Sequence, residues 1–396
     1  MPLPLYLLAL AVFAMGTSEF MLAGLLPGLA ADLGVPLGTA GTLTSAFALG
    51  MVVGAPLMAV LARNRPGRAT LFGFVLVFAA AHAVGAVTTS FPVLFASRVV
   101  AALADAGFLA VALTTATALV PPDRKGRALA VLLSGTTVAT VAGVPGGAVL
   151  GALLGWRAVF WAVAALCLPA AVGVLLGLPA PTSAEREATT AEPAPTAAKR
   201  EPGRPTLRAE LAQLRRPKLR KVLLLAAMVN AATFGGFTFL APVVTGPARL
   251  GDLWVPVALV LFGAGSFLGV TAAGRLADRR PGLVLAVAGP LLLLGWPALA
   301  VLADEPAALL PLVLLLGALA FALGGTLITR ALYEAPGAPT MAGAYATAAL
   351  NLGATAGPLL AATTLTTPAG ALGPFYAAAL LIAAALLLAA LPPRLG

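Results

Sequence analysis

Twelve long apolar runs constrain the fold of this chain more than any other feature. A helix needs about 20 mainly apolar residues to cross the hydrocarbon core of a bilayer. The runs cover approximately 4–27, 39–62, 69–89, 93–120, 127–153, 158–178, 222–245, 253–275, 283–303, 308–333, 341–364 and 374–391. Because 60% of the 396 residues are hydrophobic and only 10% are charged, we predict an all-α integral membrane protein and exclude a soluble enzyme or a nucleic-acid-binding module.

The basic residues indicate how the predicted helices are oriented. An even number of helices places both termini on one side of the membrane. If the odd-numbered runs point outward, 21 of the 24 lysines and arginines lie in inner loops, and cytoplasmic loops are those enriched in these residues. We therefore expect a multi-pass protein of the plasma (inner) membrane with cytoplasmic termini, and the net charge of +10 reflects topology rather than an acidic or nucleic-acid partner.

A polar stretch and an internal repeat divide the chain into two halves. Residues 179–221 are rich in Pro, Ala, Thr and mixed charge, which predicts a cytoplasmic linker, ending in a short surface helix with leucines at helical spacing. The linker separates a six-helix bundle over 1–178 from a second over 222–396. GAPLMAVLARNRPG (54–67) and GVTAAGRLADRRPG (269–282) match at an offset of 215, so the halves are related in parallel.

Several motifs resemble one transporter family. GTSEF (16–20), GLLPGLAADL (24–33), the LADRRPG loop, Arg98, AGVPGG (142–147) and GWRAVFW (155–161) are similar to the twelve-helix drug:proton antiporters of the major facilitator superfamily, and most of all to actinobacterial chloramphenicol-resistance exporters. The resemblance implies two six-helix bundles with a substrate site between them near the midplane. It also implies proton-coupled efflux of a small amphipathic drug such as chloramphenicol or a related phenicol, by alternating access.

The expected partners are the drug, protons and the lipid bilayer, and a monomer suffices because each half packs on the other. Export of another neutral molecule, such as a sugar, a nucleoside or another drug, is the alternative within the superfamily. The chain has one histidine and one cysteine and contains no HExxH, GxSxG or phosphate-binding motif. We therefore expect that the protein is not an enzyme, holds no metal or cofactor and does not use ATP directly.

Ionisable residues inside the apolar runs are the candidates for proton coupling. A carboxylate at Glu19 costs free energy in a membrane unless it is protonated, paired or facing water, and the resemblance implies a coupling or substrate role; a structural hydrogen bond is the alternative. Arg98 and Asp105 lie seven residues apart and share a helix face. Arg98 is a coupling group or an interfacial anchor, and Asp105 is a further coupling group or only its partner. Asp32, just beyond the first run, is a weaker candidate.

Two sequence features are candidates for gating. Gly143 and Gly147, with Pro145 between them, allow close helix approach, and the resemblance implies the antiporter motif that prevents uncoupled leak; plain packing is the alternative. Asp278 and Arg279 match the cytoplasmic latch of the superfamily, or belong to an ordinary positive inner loop. In the first half, Arg63 replaces the expected aspartate of this latch.

Substrate contacts are expected on the first helix of each three-helix repeat. Asn230, Phe234 and Phe237 share one face of the seventh run. In the first run, Met15 lies one turn before Glu19, and we expect both of these residues to bind substrate as well. An amide, two phenyl rings and a thioether suit a small uncharged aromatic compound. Packing within the bundle is the alternative for these residues.

Overall fold

A computed structural model describes residues 2–62, 67–121, 125–178, 207–276, 281–338 and 341–391. The regular secondary structure in these ranges is entirely helical, which confirms the predicted all-α class. Most of the linker lies outside the described residues, as do Arg63, Asp278 and Arg279. The gating role of Asp278 and Arg279 therefore remains a prediction.

The first half contains eight helices in the described ranges, because two of the six predicted runs are divided. The first run forms two α-helices joined by a 3-10 turn over Met21–Gly24, and the fifth forms two α-helices joined by a π-helical turn over Ala139–Gly143. The helices are α1 (Leu3–Phe20), α2 (Leu26–Leu33), α3 (Leu37–Ala62), α4 (Gly67–Val87), α5 (Phe91–Ala118), α6 (Lys125–Val138), α7 (Val144–Leu154) and α8 (Trp156–Gly177).

The second half repeats the divided first helix. Pro27 opens α2, and Pro242, 215 positions later, lies in the short helix that follows the break after Thr238. A proline lacks the N–H that a continuous helix needs, which favours a break in both halves. The helices are α9 (Leu207–Ala212), α10 (Pro217–Thr238), α11 (Leu240–Thr245), α12 (Trp254–Leu276), α13 (Pro281–Val301), α14 (Pro306–Glu334), α15 (Ala342–Thr364) and α16 (Gly373–Ala390).

Eleven helical stretches of the described ranges are long and apolar enough to cross a membrane. The remaining predicted run forms α15, a helix of 23 residues whose threonines, glycines and Asn351 dilute its apolar character. It packs against α10 in its own half and against α3 in the other half. Protein contacts therefore replace part of the lipid contact that would otherwise require a more apolar sequence.

The described contacts between the two halves include several near the ends of the helices remote from Leu3 and Ala390. Gly38, near the start of α3, faces Ala362 of α15, and Gly24 faces Leu259 of α12. Glycine lets the backbones approach because an added Cβ would lie 3.4 Å from the Ala362 Cβ and 3.0 Å from the Leu259 Cδ1. This packing of small residues joins the halves at one end of the molecule.

The short helix α9 packs on the second half. The Glu210 carboxylate is buried and accepts a hydrogen bond of 2.9 Å from the backbone N–H of Met341, the residue that precedes α15. A carboxylate at this position also interacts favourably with the helix dipole. The end of the predicted linker is thus attached to the loop between α14 and α15.

Candidate transport site between the two halves

An aromatic pocket lies between the halves, and about 390 Å³ of space in and around it, including space open to solvent, is not filled by atoms. Its walls come from α1, the π-helical turn and α7 of the first half, and from α10, α12 and α14 of the second half. The lining residues are Phe20, Thr140, Val144, Thr233, Phe234, Phe237, Leu259, Phe262, Gly263, Ser266 and Phe321.

The phenyl rings of the aromatic pocket form a continuous series across the junction. The Phe20 ring of α1 lies 5.8 Å from that of Phe234 in α10, measured between centroids. Phe237 lies 4.7 Å from Phe262, and Phe262 lies 6.2 Å from Phe321. Aromatic pairs at such distances attract one another in tilted and edge-to-face arrangements, and they present ring faces to a ligand from both halves.

The hydroxyl groups of the aromatic pocket are suited to accept hydrogen bonds. Thr233 Oγ1 donates to the Val229 carbonyl at 2.8 Å, and Ser266 Oγ donates to the Gly263 carbonyl at 2.7 Å. A hydroxyl whose proton is used in this way retains acceptor lone pairs. None of the lining residues is charged, so the pocket suits an uncharged aromatic compound that carries hydrogen-bond donors.

A buried hydrogen-bonded network connects α5, α1 and α4 next to this pocket. Arg98 is 1% exposed; its Nη1 donates to Ser18 Oγ at 2.6 Å and its Nη2 to the Ser18 carbonyl at 2.8 Å. Ser18 Oγ lies 2.6 Å from His82 Nε2, and His82 Nδ1 lies 2.8 Å from the Phe78 carbonyl. The guanidinium also lies 4.5 Å from the centre of the Phe47 ring, a cation–π contact. Arg98 is thus held inside the first half, not at its surface.

Glu19 lies between the network and the aromatic pocket. Successive helix residues are about 100° apart, so Ser18, which binds Arg98, and Phe20, which lines the pocket, project to nearly opposite sides, with Glu19 between them. Glu19 is only partly buried and forms no ion pair with any described residue. Arg98 nevertheless bonds to both the hydroxyl and the carbonyl of Ser18, the neighbour of Glu19, and Asp105 lies buried two turns further along α5. The structure thus brings these three predicted residues together.

The π-helical turn before Pro145 places α1 against the fifth predicted run. Pro145 has no N–H to continue the helix, and the N–H of Val144 bonds to the carbonyl of Ala139, five residues back. Such wide turns are frequent at functional sites. A Cβ at Gly143 would overlap Thr17 Oγ1 and lie 3.1 Å from Thr17 Cβ. Only glycine fits this approach.

The remaining glycine of the motif is less tightly confined. A Cβ at Gly147 would lie 3.3 Å from Val159 Cγ1 of α8 and 3.9 Å from Met21 Cβ. It therefore packs mainly on α8 in the same half. Its predicted gating role is not distinguished from packing by these contacts.

Asp32 lies away from this cluster, at the remote end of the first half. Its carboxylate forms an ion pair with Arg157, the second residue of α8, and accepts a hydrogen bond of 3.1 Å from the indole N–H of Trp156, the first residue of that helix. Arg157 also donates to the Thr88 carbonyl at 3.1 Å. The hydrogen bond from Arg157 lowers the pKa of Asp32 below its usual value. These contacts join the ends of three helices, and none of these contacts among the described residues involves Glu19.

Two of the five expected drug contacts line the aromatic pocket, and Glu19 is not among the residues that line it. Phe234 and Phe237 line it, whereas Met15 is 1% exposed within the apolar cluster of the first half. The Asn230 side-chain amide donates to the Leu350 carbonyl of α15 at 2.7 Å. Met15 and Asn230 therefore pack within their own halves instead of joining the pocket.

Sequence reasoning missed several lining residues and most of the network. Phe262 and Ser266 lie on α12, and Phe321 lies on α14. The helix α14 corresponds to the tenth run, which was expected to face the cavity, but no residue of this run was predicted to contact the drug. Ser18 stood unnoticed inside the GTSEF motif. The GTSEF motif is the sequence feature that pointed to both the network and the pocket, because Ser18 bonds to Arg98 and Phe20 lines the pocket, with Glu19 between them.

The chain belongs to the Major Facilitator Superfamily, which it matches over residues 8–349. Membership makes it a membrane transporter rather than an enzyme. It is 72% identical over 382 residues to a Streptomyces lividans protein named chloramphenicol resistance protein, with 96% of this chain and 94% of that protein covered. It is 31% identical to the inner membrane transport protein YdhP of Escherichia coli K12, with 88% and 85% covered.

A solved structure supports the fold independently of close sequence similarity. The structure of a bacterial homologue of the human lysosomal transporter Spinster, described as inward-facing and unoccupied, superposes with a TM-score of 0.76 at 17% identity. The superposition covers 98% of this chain and 94% of that one. At this identity the likeness establishes the shared fold, and it agrees with the family assignment.

Proposed function

We propose that this protein exports chloramphenicol and related phenicols across the plasma membrane in exchange for protons. The identity of 72% over nearly the whole length of the Streptomyces lividans chloramphenicol resistance protein carries the assignment of substrate. The aromatic pocket supports it, because phenyl faces and hydroxyl acceptors suit an uncharged aromatic compound with hydrogen-bond donors.

Glu19 is the proposed proton carrier. Its neighbour Phe20 contacts the substrate space, and Arg98, bonded to Ser18 on the other side of Glu19, supplies a positive charge that attracts the ionised carboxylate. Protonation of Glu19 cancels this attraction, so proton uptake and release change the forces between α1 and α5. Inward movement of one proton per neutral drug is driven by about 2.3 kcal/mol per 100 mV, which supports a drug gradient of roughly 50-fold.

Alternating access follows from the division of the aromatic pocket between the halves. With cytoplasmic termini, the contacts of Gly38 with Ala362 and of Gly24 with Leu259 lie on the outer side. Their separation, with closure of the opposite side, exposes the pocket outward. A monomer is sufficient for this cycle, because both walls of the pocket belong to one chain.

Expression in an efflux-deficient bacterial host tests the proposal. We expect the wild-type chain to raise chloramphenicol resistance and to lower drug accumulation, and a proton uncoupler to abolish both effects. Glu19→Gln, at equal membrane abundance, should lose resistance, whereas Glu305→Gln, a matched change at an exposed residue before α14, should keep it. Resistance that survives the uncoupler, or an unchanged Glu19→Gln variant, would contradict proton coupling; accumulation unaffected by the wild-type chain would contradict the substrate.

A further inference from the structure

His82 is a buried ionisable residue to which the proposed transport cycle gives no role. It is the single histidine of the chain, it is 1% exposed, and it lies in α4, which does not line the aromatic pocket. Burial of a polar group costs free energy of folding unless the group is hydrogen-bonded. Both ring nitrogens of His82 have partners.

The partners of His82 fix the direction of every hydrogen bond in the network. A carbonyl only accepts, so the Phe78 carbonyl requires the proton on Nδ1 of His82. In the neutral ring, Nε2 is then an acceptor that faces Ser18 Oγ at 2.6 Å and Arg98 Nη1 at 3.5 Å. A second ring proton would point at the guanidinium and repel it. Ser18 must therefore donate its hydroxyl proton to His82, and its oxygen remains free to accept from Arg98.

We propose that His82 and Ser18 are positioning residues that hold the Arg98 guanidinium beside Glu19 and thereby set the pH range of proton coupling. The proposal rests on the proposed role of Glu19. His82 orients the Ser18 hydroxyl, and Ser18 receives Arg98 through both its hydroxyl and its carbonyl. Because Ser18 and Glu19 are adjacent, the network fixes the guanidinium relative to the coupling carboxyl group.

The ionisable groups around this network are few. Asp105 shares α5 with Arg98, Glu19 belongs to α1, and Cys167 lies buried in α8. From α3 the contact is the uncharged Phe47 ring. Arg98 is the single cation among these groups, and it is bonded to both the hydroxyl and the carbonyl of Ser18, the neighbour of Glu19. Displacement of this charge therefore weakens the preference for the ionised carboxyl group.

Three variants separate positioning from plain packing. His82→Leu fills the space but removes the acceptor at Nε2, Ser18→Ala removes the hydroxyl that links His82 to Arg98, and His82→Gln supplies an amide oxygen and N–H in their place. Ser97→Ala is the matched control, since the Ser97 hydroxyl is buried next to Arg98 in sequence but donates to Leu94 of its own helix.

Two measurements decide the proposal. One is the pH dependence of chloramphenicol:proton exchange in proteoliposomes, and the other is the pH titration of the Glu19 carboxyl band in infrared difference spectra of the purified protein, assigned by its loss in Glu19→Gln. We expect His82→Leu and Ser18→Ala to move both midpoints upward by about 0.5–1 pH unit, a fraction of the effect of a full neighbouring charge. His82→Gln should restore most of this shift, and Ser97→Ala should leave the midpoints unchanged.

If His82→Leu lost exchange while its infrared carboxyl titration kept the wild-type midpoint, the proposal would be overturned. A His82→Gln variant that behaves like His82→Leu would also overturn it. The infrared titration does not depend on transport. If the wild-type protein moved drug without protons, the proposed function would fail, yet a shifted carboxyl titration would still support the positioning role. An unshifted titration would refute that role even if the wild-type exchange were confirmed.

Discussion

Replacement of Gly143 by alanine tests whether the antiporter motif is a steric requirement. The added Cβ overlaps Thr17 Oγ1 and lies 3.2 Å from the Phe13 Cε2, so α1 and the π-helical turn must separate. Overpacking of this kind costs about 1–3 kcal/mol. Gly146→Ala is a close control, because no heavy atom lies within 4 Å of a Cβ at that position. The two variants gain helix propensity similarly, and their difference isolates the steric cost.

Thermal unfolding in detergent and proton leak in proteoliposomes provide the assays. We expect Gly143→Ala to be less stable than Gly146→Ala by about 1–3 kcal/mol and to leak protons without drug, since α1 carries Glu19. Thr17→Ala removes the overlapping hydroxyl and should restore part of the stability, with a coupling energy of about 0.5–3 kcal/mol in a double-mutant cycle. Equal stability and equal leak in the two glycine variants would refute the steric argument.

Three further predictions concern single side chains. Phe234→Ala removes a ring that lines the aromatic pocket and should weaken chloramphenicol binding by up to about tenfold, the loss of one aromatic contact of about 0.5–1.5 kcal/mol with the drug ring; unchanged affinity in a calorimetric titration would contradict this. Asn230→Leu removes the hydrogen bond that the amide adds to the Leu350 carbonyl of α15 and should lower the unfolding free energy by about 0.5–1.5 kcal/mol while the drug affinity stays within twofold; a selective loss of affinity would restore it as a substrate contact. The lowered pKa of Asp32 means that its ion pair stabilises the fold above the unfolded value of about 3.9 and that this contribution disappears as the pH falls through the lower folded value. Asp32→Asn should therefore remove a small acid-dependent part of stability, at most about 1 kcal/mol for an exposed pair, as measured by unfolding between pH 7 and pH 2; an unaltered pH profile would contradict it.

The sequence was sufficient for the class of fold because bilayer thickness requires long apolar runs. It could not place the divisions within them. The break after Phe20 and the π-helical turn before Pro145 change the rotation of the residues that follow them. Met15 and Glu19 both precede the break, in α1, and spacing along this helix could not show which of its faces meets the pocket. Met15 instead packs inside the first half, and Phe20 turns towards the pocket.

The candidate site was predictable where a charge stands inside an apolar helix. Glu19, Arg98 and Asp105 were identified in this way, and in the structure Arg98 bonds to Ser18, the neighbour of Glu19. Apolar helices offer no such contrast on their remaining faces, so sequence alone did not show that Asn230 bonds to α15 or that His82 reaches Ser18. Those contacts depend on how neighbouring helices are rotated.

The most direct test of the account follows the pH inside proteoliposomes loaded with chloramphenicol and diluted into drug-free buffer. If Glu19 exchanges protons for drug, outward drug movement draws protons inward, the lumen acidifies with the wild-type chain and with Glu305→Gln, and Glu19→Gln abolishes the acidification. Drug release by the wild-type chain without acidification, or acidification of equal rate and extent with Glu19→Gln, would contradict the account.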